Sequence, residues 1–307
     1  MSEGGAVEVW RGGVNPWECD AMGHLNVRFY MARATEGLVG LAAAMGLEGA
    51  FRAQAGATVI VKDHHIRFLR EARVGAPLYM TAGILEIGET EARVLQMLVH
   101  AGSGELAASF QTVLTHATAR EGRAFPWSER TRVLAAALAV EAPSRAAPRS
   151  LDLEPPSGKA CLARADELGL FRLSAGAFSG EDCDVFGRVR PEIFIGRVSD
   201  GVPGLATALG GGSARPGGVG GAVLEYRLAY RAWPRAGDRF EVRSGLAGFD
   251  DRAQRLAHWI LDPATGEAWV TSEAVAIALD LEARKIIPIA EEAKARLARH
   301  VKPGLGL

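Results

Sequence analysis

Residues Glu18–Gly46 read ECDAMGHLNVRFYMARATEGLVGLAAAMG, and the chain says this stretch twice. Asp182–Gly210 reads DCDVFGRVRPEIFIGRVSDGVPGLATALG, and at a constant offset of 164 the two share 10 of 29 positions, among them Cys19/Cys183, Asp20/Asp184, Gly23/Gly187, Arg33/Arg197 and Gly46/Gly210. A self-match of this length points to a duplicated unit, which has to be recognised before either copy is read. Each copy opens as a polar loop and passes without a break into a long Ala-, Leu- and Gly-rich helix. From Val27 to Met45 apolar residues fall on nearly every face, the pattern of a buried helix, and Gly46 is placed to cap its end.

Outward from the first copy, Val7–Arg11 reads as a short strand, and the runs Thr58–Arg70, Leu78–Ile87, Ala92–His100 and Leu106–Thr115 read as four more. The turns between these four are too short for crossovers, so they pair antiparallel. A helix is expected over Ser128–Val140. The second copy repeats the order: a strand at Phe171–Phe178, a helix at Pro191–Leu209, and strands at Ala222–Ala232, Arg239–Gly248, Ala253–Leu261 and Glu267–Leu281. At an offset of 162 the match continues through His64/Tyr226, Phe68/Tyr230, Gly75/Gly237, Gly104/Gly266 and Pro126/Pro288. The expected organisation is an N-terminal domain over residues 1–141, a Pro/Ser/Ala-rich linker at 142–160, and a C-terminal domain at 161–307 that ends in a helix. The fold class is α+β: each antiparallel sheet has one apolar face, and the long helix is the element available to cover it. Two such units can join edge to edge as an intramolecular pseudo-dimer.

Composition sets bounds on function. In 307 residues, 48% hydrophobic and 23% charged, the net charge is −1, without the basic excess of a nucleic-acid or anionic-membrane binder. Three cysteines without metal-ligand spacing suit a reducing compartment. No secretory signal pattern and no ~20-residue apolar span is visible, so the expectation is a cytoplasmic, soluble chain. No HExxH, GxxxxGK or GxSxG pattern occurs, so neither a metal nor a cofactor is expected. The glycine runs Gly210–Gly212 and Gly217–Gly221 read as loop, since no helix follows them to cradle a phosphate.

The sequence Asp20–Tyr30, DAMGHLNVRFY, resembles the motif loop of hotdog-fold thioesterases of the 4-hydroxybenzoyl-CoA thioesterase type, and also the D-x-x-x-H-x-N motif of acyl-ACP thioesterases. It departs from the latter at Met22, where that family has Asn. The resemblance covers roughly residues 7–126 and 171–288, and implies two tandem hotdog domains, each sheet wrapped around its helix. It further implies a thioester hydrolase acting on acyl-CoA or acyl-ACP, with pseudo-dimers able to associate further.

Thioester hydrolysis needs a carboxylate that attacks or activates water, and donors for the oxyanion. By resemblance Asp20 is the nucleophile or general base. The N–H of Gly23 or His24, beside the positive end of the helix, is the expected oxyanion donor. Against this stands a capping role for Asp20. His24 is expected to orient water or the carbonyl, and Asn26 to hold the loop or cap the helix. His64, on a strand row with Ile60, Ile66 and Phe68, and the helix carboxylate Glu36 are further candidates for the substrate site. The second copy keeps Asp184 and Gly187 but has Arg188 for His24 and Arg190 for Asn26. Paired arginines weaken Asp184 as a base, which makes this copy degenerate. The two arginines either bind CoA phosphates or a substrate carboxylate, or pair with Asp184. A non-catalytic acyl-CoA-binding protein and a hotdog hydratase or dehydratase are the competing readings.

Overall fold

Two five-stranded meanders of identical order make up the computed structural model, which describes residues 5–156, 158–210, 218–283 and 285–307. The chain forms two compact units. One takes the chain up to Ala147 together with Cys183–Glu192; the other takes Pro148–Asp182 and Ile193–Leu307.

In the first unit, β1 (Val7–Gly13), β2 (Ala57–Phe68), β3 (Pro77–Ile87), β4 (Glu91–His100) and β5 (Leu106–Thr118) lie in the order β1-β3-β4-β5-β2, all antiparallel. Helix α1 (Val27–Ala44) follows the motif loop, and α2 (Glu129–Ala137) closes the unit. In the second unit, α3 (Leu162–Glu167) precedes β6 (Phe171–Ala177); α4 (Pro191–Ala208) follows the repeated motif and belongs to this unit from Ile193 on. Strands β7 (Val219–Tyr230), β8 (Arg239–Phe249), β9 (Ala253–Leu261) and β10 (Ala268–Asp280) complete the order β6-β8-β9-β10-β7. The short β11 (Lys285–Ile287) lies on β10, and α5 (Glu291–Ala298) ends the unit. Helices α2 and α5 begin 162 residues apart, so the repeat extends to the terminal helices.

The irregularities repeat as well. Register shifts skip Val9 and Leu173 on the edge strands, Leu85 and Ala247 on the next, Ala107 and Trp269, and Lys62 and Leu224. Each pair stands at the repeat offset. A β-bulge is a local feature that does not recur by accident at four matched places.

The bulge at Lys62 corrects one expectation. Because it reverses the alternation, the row holding His64, Ile66 and Phe68 continues as Val61 and Val59, and Ile60 lies on the other side. Phe68 meets the Tyr30 ring edge-on at 5.3 Å, so this row faces α1.

Helix α1 is not buried all round. Its buried residues Tyr30, Met31, Ala34, Gly37, Leu38, Leu41 and Ala42 form one stripe, while Val39 is 46% exposed. Asn26 is the N-cap, its side chain accepting from Arg28 N–H at 2.9 Å, and Gly46 takes the left-handed turn after the helix with φ +79°. Close packing depends on Gly37: a Cβ there would stand 2.7 Å from Met80 Sδ and 2.8 Å from Gln96 Nε2.

The Pro/Ser/Ala-rich segment after residue 141 has no helical or strand period, yet its backbone is anchored. Arg67 and Gln111, on the face of the first sheet away from α1, donate to the carbonyls of Ala147 and Ala146 at 2.6 and 3.0 Å. In the second unit Glu225 accepts from the amides of Arg149 and Ser150, and Arg227 donates to the carbonyls of Asp152 and Glu154. Gly220 and Gly221 belong to β7 rather than to a loop; Gly211, Gly212 and Gly217 lie outside the described residues. No helix among the described residues is long and apolar enough to cross a membrane.

Candidate functional site

The motif loop is a closed turn built around Asp20. The Asp20 amide donates to His24 O at 2.8 Å and Gly23 N–H returns to Asp20 O at 3.0 Å, with Gly23 at φ +75°. Asp20 Oδ1 accepts from the amides of Met22 and His24 at 2.8 and 3.1 Å. The second copy does the same: Asp184 Oδ1 accepts from Phe186 and Arg188 amides at 2.8 and 2.9 Å, and Gly187, φ +78°, donates to Asp184 O. The amides of Gly23 and His24, expected as oxyanion donors, here donate within the turn to Asp20 O and Asp20 Oδ1.

At the helix start the accounting differs. Asn26 takes the Arg28 amide with its side chain and the Phe29 and Tyr30 amides with its carbonyl. Among the described residues, Val27 N–H is the first-turn amide without an acceptor. The equivalent position in the second copy is Pro191, which has no N–H.

His24 is buried, and its backbone bridges Arg73 in the segment after β2. Its Nε2 stands 3.3 Å from Glu71 Oε2 and 3.3 Å from Arg73 Nη2. Tyr30 ties the same segment down: its hydroxyl accepts from the Ala72 amide at 3.1 Å, and burial pushes the phenol well above its ordinary value. The loop thus brings Asp20, His24 and Asn26 together and adds Glu71, Arg73 and Val27, which the sequence reading missed. Nothing local marks Glu71, which is 47 positions beyond His24. The usable signal was the repeat, which puts Trp233 at the Glu71 position and Pro191 at the Val27 position.

The remaining candidates have other partners. Glu36, half exposed, pairs with Arg33 at 3.0 Å; Arg33 also binds the buried Glu18 and lies over the Trp10 ring. The second copy rebuilds this node with Arg197 between Asp182 (3.2 Å) and Asp200 (3.8 Å). His64 is fully buried, and desolvation holds its imidazole down at about 3, so it is neutral at physiological pH. Arg188 lies 3.5 Å from Asp184 and over the Phe186 ring, and Arg190 lies 3.1 Å from the buried Glu192, which also accepts from Thr35 Oγ1. Both arginines thus have carboxylate partners. Among the described residues there is no cluster of three or more His, Cys, Asp or Glu able to hold a metal.

A meander of this order with a long helix after its first strand is the hotdog-like thioesterase fold. Solved structures agree over most of the chain. It superposes with a TM-score of 0.65 on an acyl-ACP thioesterase from Bacteroides thetaiotaomicron, at 12% identity over 88% of this chain and 97% of that one. It superposes at 0.64 on the 12:0-ACP thioesterase from Umbellularia californica, at 11% identity over 89% and 94%. Likeness at that identity speaks for the fold alone. The family model for the thioesterase-like superfamily matches residues 14–138 and 180–297, and the chain belongs to that family. A curated relative from Rhizobium meliloti (strain 1021), L-carnitine dehydrogenase/betainyl-CoA thioesterase, is 27% identical over 113 residues; the match spans 37% of this chain and only 23% of that protein's length.

Proposed function

We propose that the chain hydrolyses an acyl thioester carried by CoA or acyl carrier protein, at one site built on the first motif loop. The observation that carries this is the approach of His24 to Glu71 beside the unspent Val27 amide, three features that the second copy replaces together with Arg188, Trp233 and Pro191. In this reading Asp20 Oδ1 shapes the loop and its other oxygen acts as nucleophile or general base. His24, oriented by Glu71, positions water or the thioester carbonyl, and Val27 N–H at the positive end of α1 stabilises the oxyanion. With Asp20 as base, it takes a proton from water, whose oxygen bonds to the thioester carbon; the C–S bond breaks and the thiolate takes up that proton as it leaves. With Asp20 as nucleophile, the carboxylate displaces the thiolate, which is protonated by water, and a second water then hydrolyses the acyl–aspartyl anhydride. Asn26 and Gly23 support the loop, His64 and Glu36 lie outside the reacting groups, and the Asp184–Arg188–Arg190 copy is inactive. The two repeats are a tandem duplication of a hotdog unit, residues 1–141 and 161–307 joined through 142–160. Each sheet wraps around its helix, and the units associate as a pseudo-dimer that can assemble further.

A second reading keeps one specific observation: Asp20 makes the same bonds as Asp184, so a loop role alone accounts for its presence. A non-catalytic acyl-CoA-binding protein would retain the loop for that reason. Free-thiol release from short, long, aromatic and betaine-type acyl-CoAs separates the two. Turnover by the wild type and Asp184→Asn, lost in Glu71→Gln, supports the one-site enzyme. Binding of the panel without turnover of any member supports the binder.

A further inference from the structure

In the second unit a cavity of about 530 Å³ opens where the β8 edge changes partners. Strand β6 pairs with β8 as far as Ser244. Beyond it the C-terminal segment takes over, with Lys302 N–H donating to Leu246 O at 2.9 Å and Val301 bridging Leu246. The gap lies at Gly245, and Leu205 in the last turn of α4 and Leu209 just after it line the cavity. Around this apolar wall stand four basic side chains: Arg172, Arg243, His300 and Lys302.

The first unit has the same backbone frame and a different lining. Ile84 bridges Ala139 in the same parallel sense, with Ile84 N–H donating to Leu138 O at 2.8 Å and Val140 N–H to Ile84 O at 2.9 Å. The apolar wall is kept, Leu41 and Ile84 standing for Leu205 and Leu246. Each basic position, however, is acidic or neutral: Glu8 for Arg172, Thr81 for Arg243, Leu138 for His300 and Val140 for Lys302. Val140 is packed so tightly over Gly83 that a Cβ there would stand 2.5 Å from its methyl. Arg172 and Glu8 occupy the same register opposite Arg243 and Thr81, so the correspondence rests on strand pairing as well as on sequence.

The acquired charge exceeds what the cavity itself neutralises. Glu241 pairs with Arg172 at 2.9 Å and also binds Arg243, and Asp166 takes Arg243 at 2.9 Å. His300 and Lys302 have no acidic partner among the described residues. Where the first unit has Leu138 and Val140, His300 and Lys302 thus set basic groups beside a leucine wall, a lining that suits an anion with an apolar body. We infer that this cavity binds a carboxylate carrying a saturated aliphatic tail, the tail along Leu205, Leu209 and Leu246 and the head between His300 and Lys302. Its volume falls within the ~300–1,000 Å³ usual for small-molecule sites. The inference does not depend on where hydrolysis takes place.

Calorimetric titration of the full chain with octanoate, octanol and CoA tests it. Octanoate is expected to bind at least tenfold more tightly than octanol. That binding should weaken at least tenfold in a His300→Leu/Lys302→Val double variant, which installs the residues the first unit carries. Lys302→Glu should reject octanoate and accept octylammonium, a gain that misfolding cannot mimic. Equal binding of octanol and octanoate, or an octanoate isotherm unchanged in both variants, overturns the inference. CoA binding that is lost in the double variant also overturns it, in favour of a phosphate site.

Discussion

The two motif loops have the same backbone and different chemistry. Asp20 and Asp184 hold their turns with matching pairs of amide bonds, and Glu18–Arg33–Glu36 and Asp182–Arg197–Asp200 repeat the same charged node. What differs is the next layer: His24 with Glu71 against Arg188 with its own Asp184, and the Val27 amide against Pro191. The lesson is that the residue most visible in the repeat, the aspartate, is the one a shared scaffold most needs. On the one-site proposal, the residues that set the first copy apart are those the repeat does not preserve.

The sharpest way to break this comparison is to move one second-copy residue into the first. Val27→Pro removes a single amide at a helix first turn, where proline is tolerated and where Pro191 already stands. Loss of one oxyanion donor lowers kcat by about 10²–10³-fold. The expected result is that loss with the melting temperature nearly unchanged; a fully active Val27→Pro places the oxyanion elsewhere. Glu71→Gln removes the carboxylate charge beside His24 and should cost about 10²-fold in kcat, at the lower end of acid–base contributions, with acyl-CoA affinity retained.

Next in size is the aspartate pair. Asp20→Ala and Asp184→Ala each delete two amide bonds in half-buried turns, which costs about 1–3 kcal/mol of stability. Chemical denaturation should find the larger loss in Asp184→Ala, which also takes the carboxylate of Asp184 from the buried Arg188. Activity should fall only in Asp20→Ala. If Asp184→Ala lowers activity as much, the second loop takes part in the reaction and the one-site reading fails.

Most of this fold was legible because its signals are local and were stated twice: alternating strands, short turns, a loop running into a helix, and glycines at Gly23, Gly46 and Gly187 that require positive φ. The site was legible only where its residues are contiguous. Glu71 reaches His24 across the fold, and the destination of an amide such as that of Gly23 or His24 is a tertiary fact that no spacing encodes. The side of the sheet that Ile60 faces was misread for a similar reason, since one extra residue at Lys62 reverses an alternation that looks regular in sequence. Helix α1 was misread as buried all round because alanines and glycines make both faces look apolar, while only the stripe from Tyr30 to Ala42 is covered.

A further difference, visible only in acid, concerns two buried histidines that the repeats do not share. His64 stands where the second unit has Tyr226, and His258 stands where the first has Gln96. Burial holds them at about 3 and about 4, below the ~6.5 of an exposed imidazole. A depressed histidine favours the folded state while neutral. Its contribution is complete above the unfolded value and declines as pH falls, because the unfolded chain takes up a proton that the folded one refuses. Each histidine therefore steepens acid unfolding by up to ~1.4 kcal/mol per pH unit between about pH 6 and pH 4. Exchanging each for the other copy's residue, His64→Tyr and His258→Gln, should flatten the stability–pH curve by that slope, additively, since the two sit in different units. Denaturant titrations from pH 7 to pH 4 measure it. An unchanged slope in either variant means that its imidazole is protonated in the folded state and that the surrounding sheet accommodates the charge.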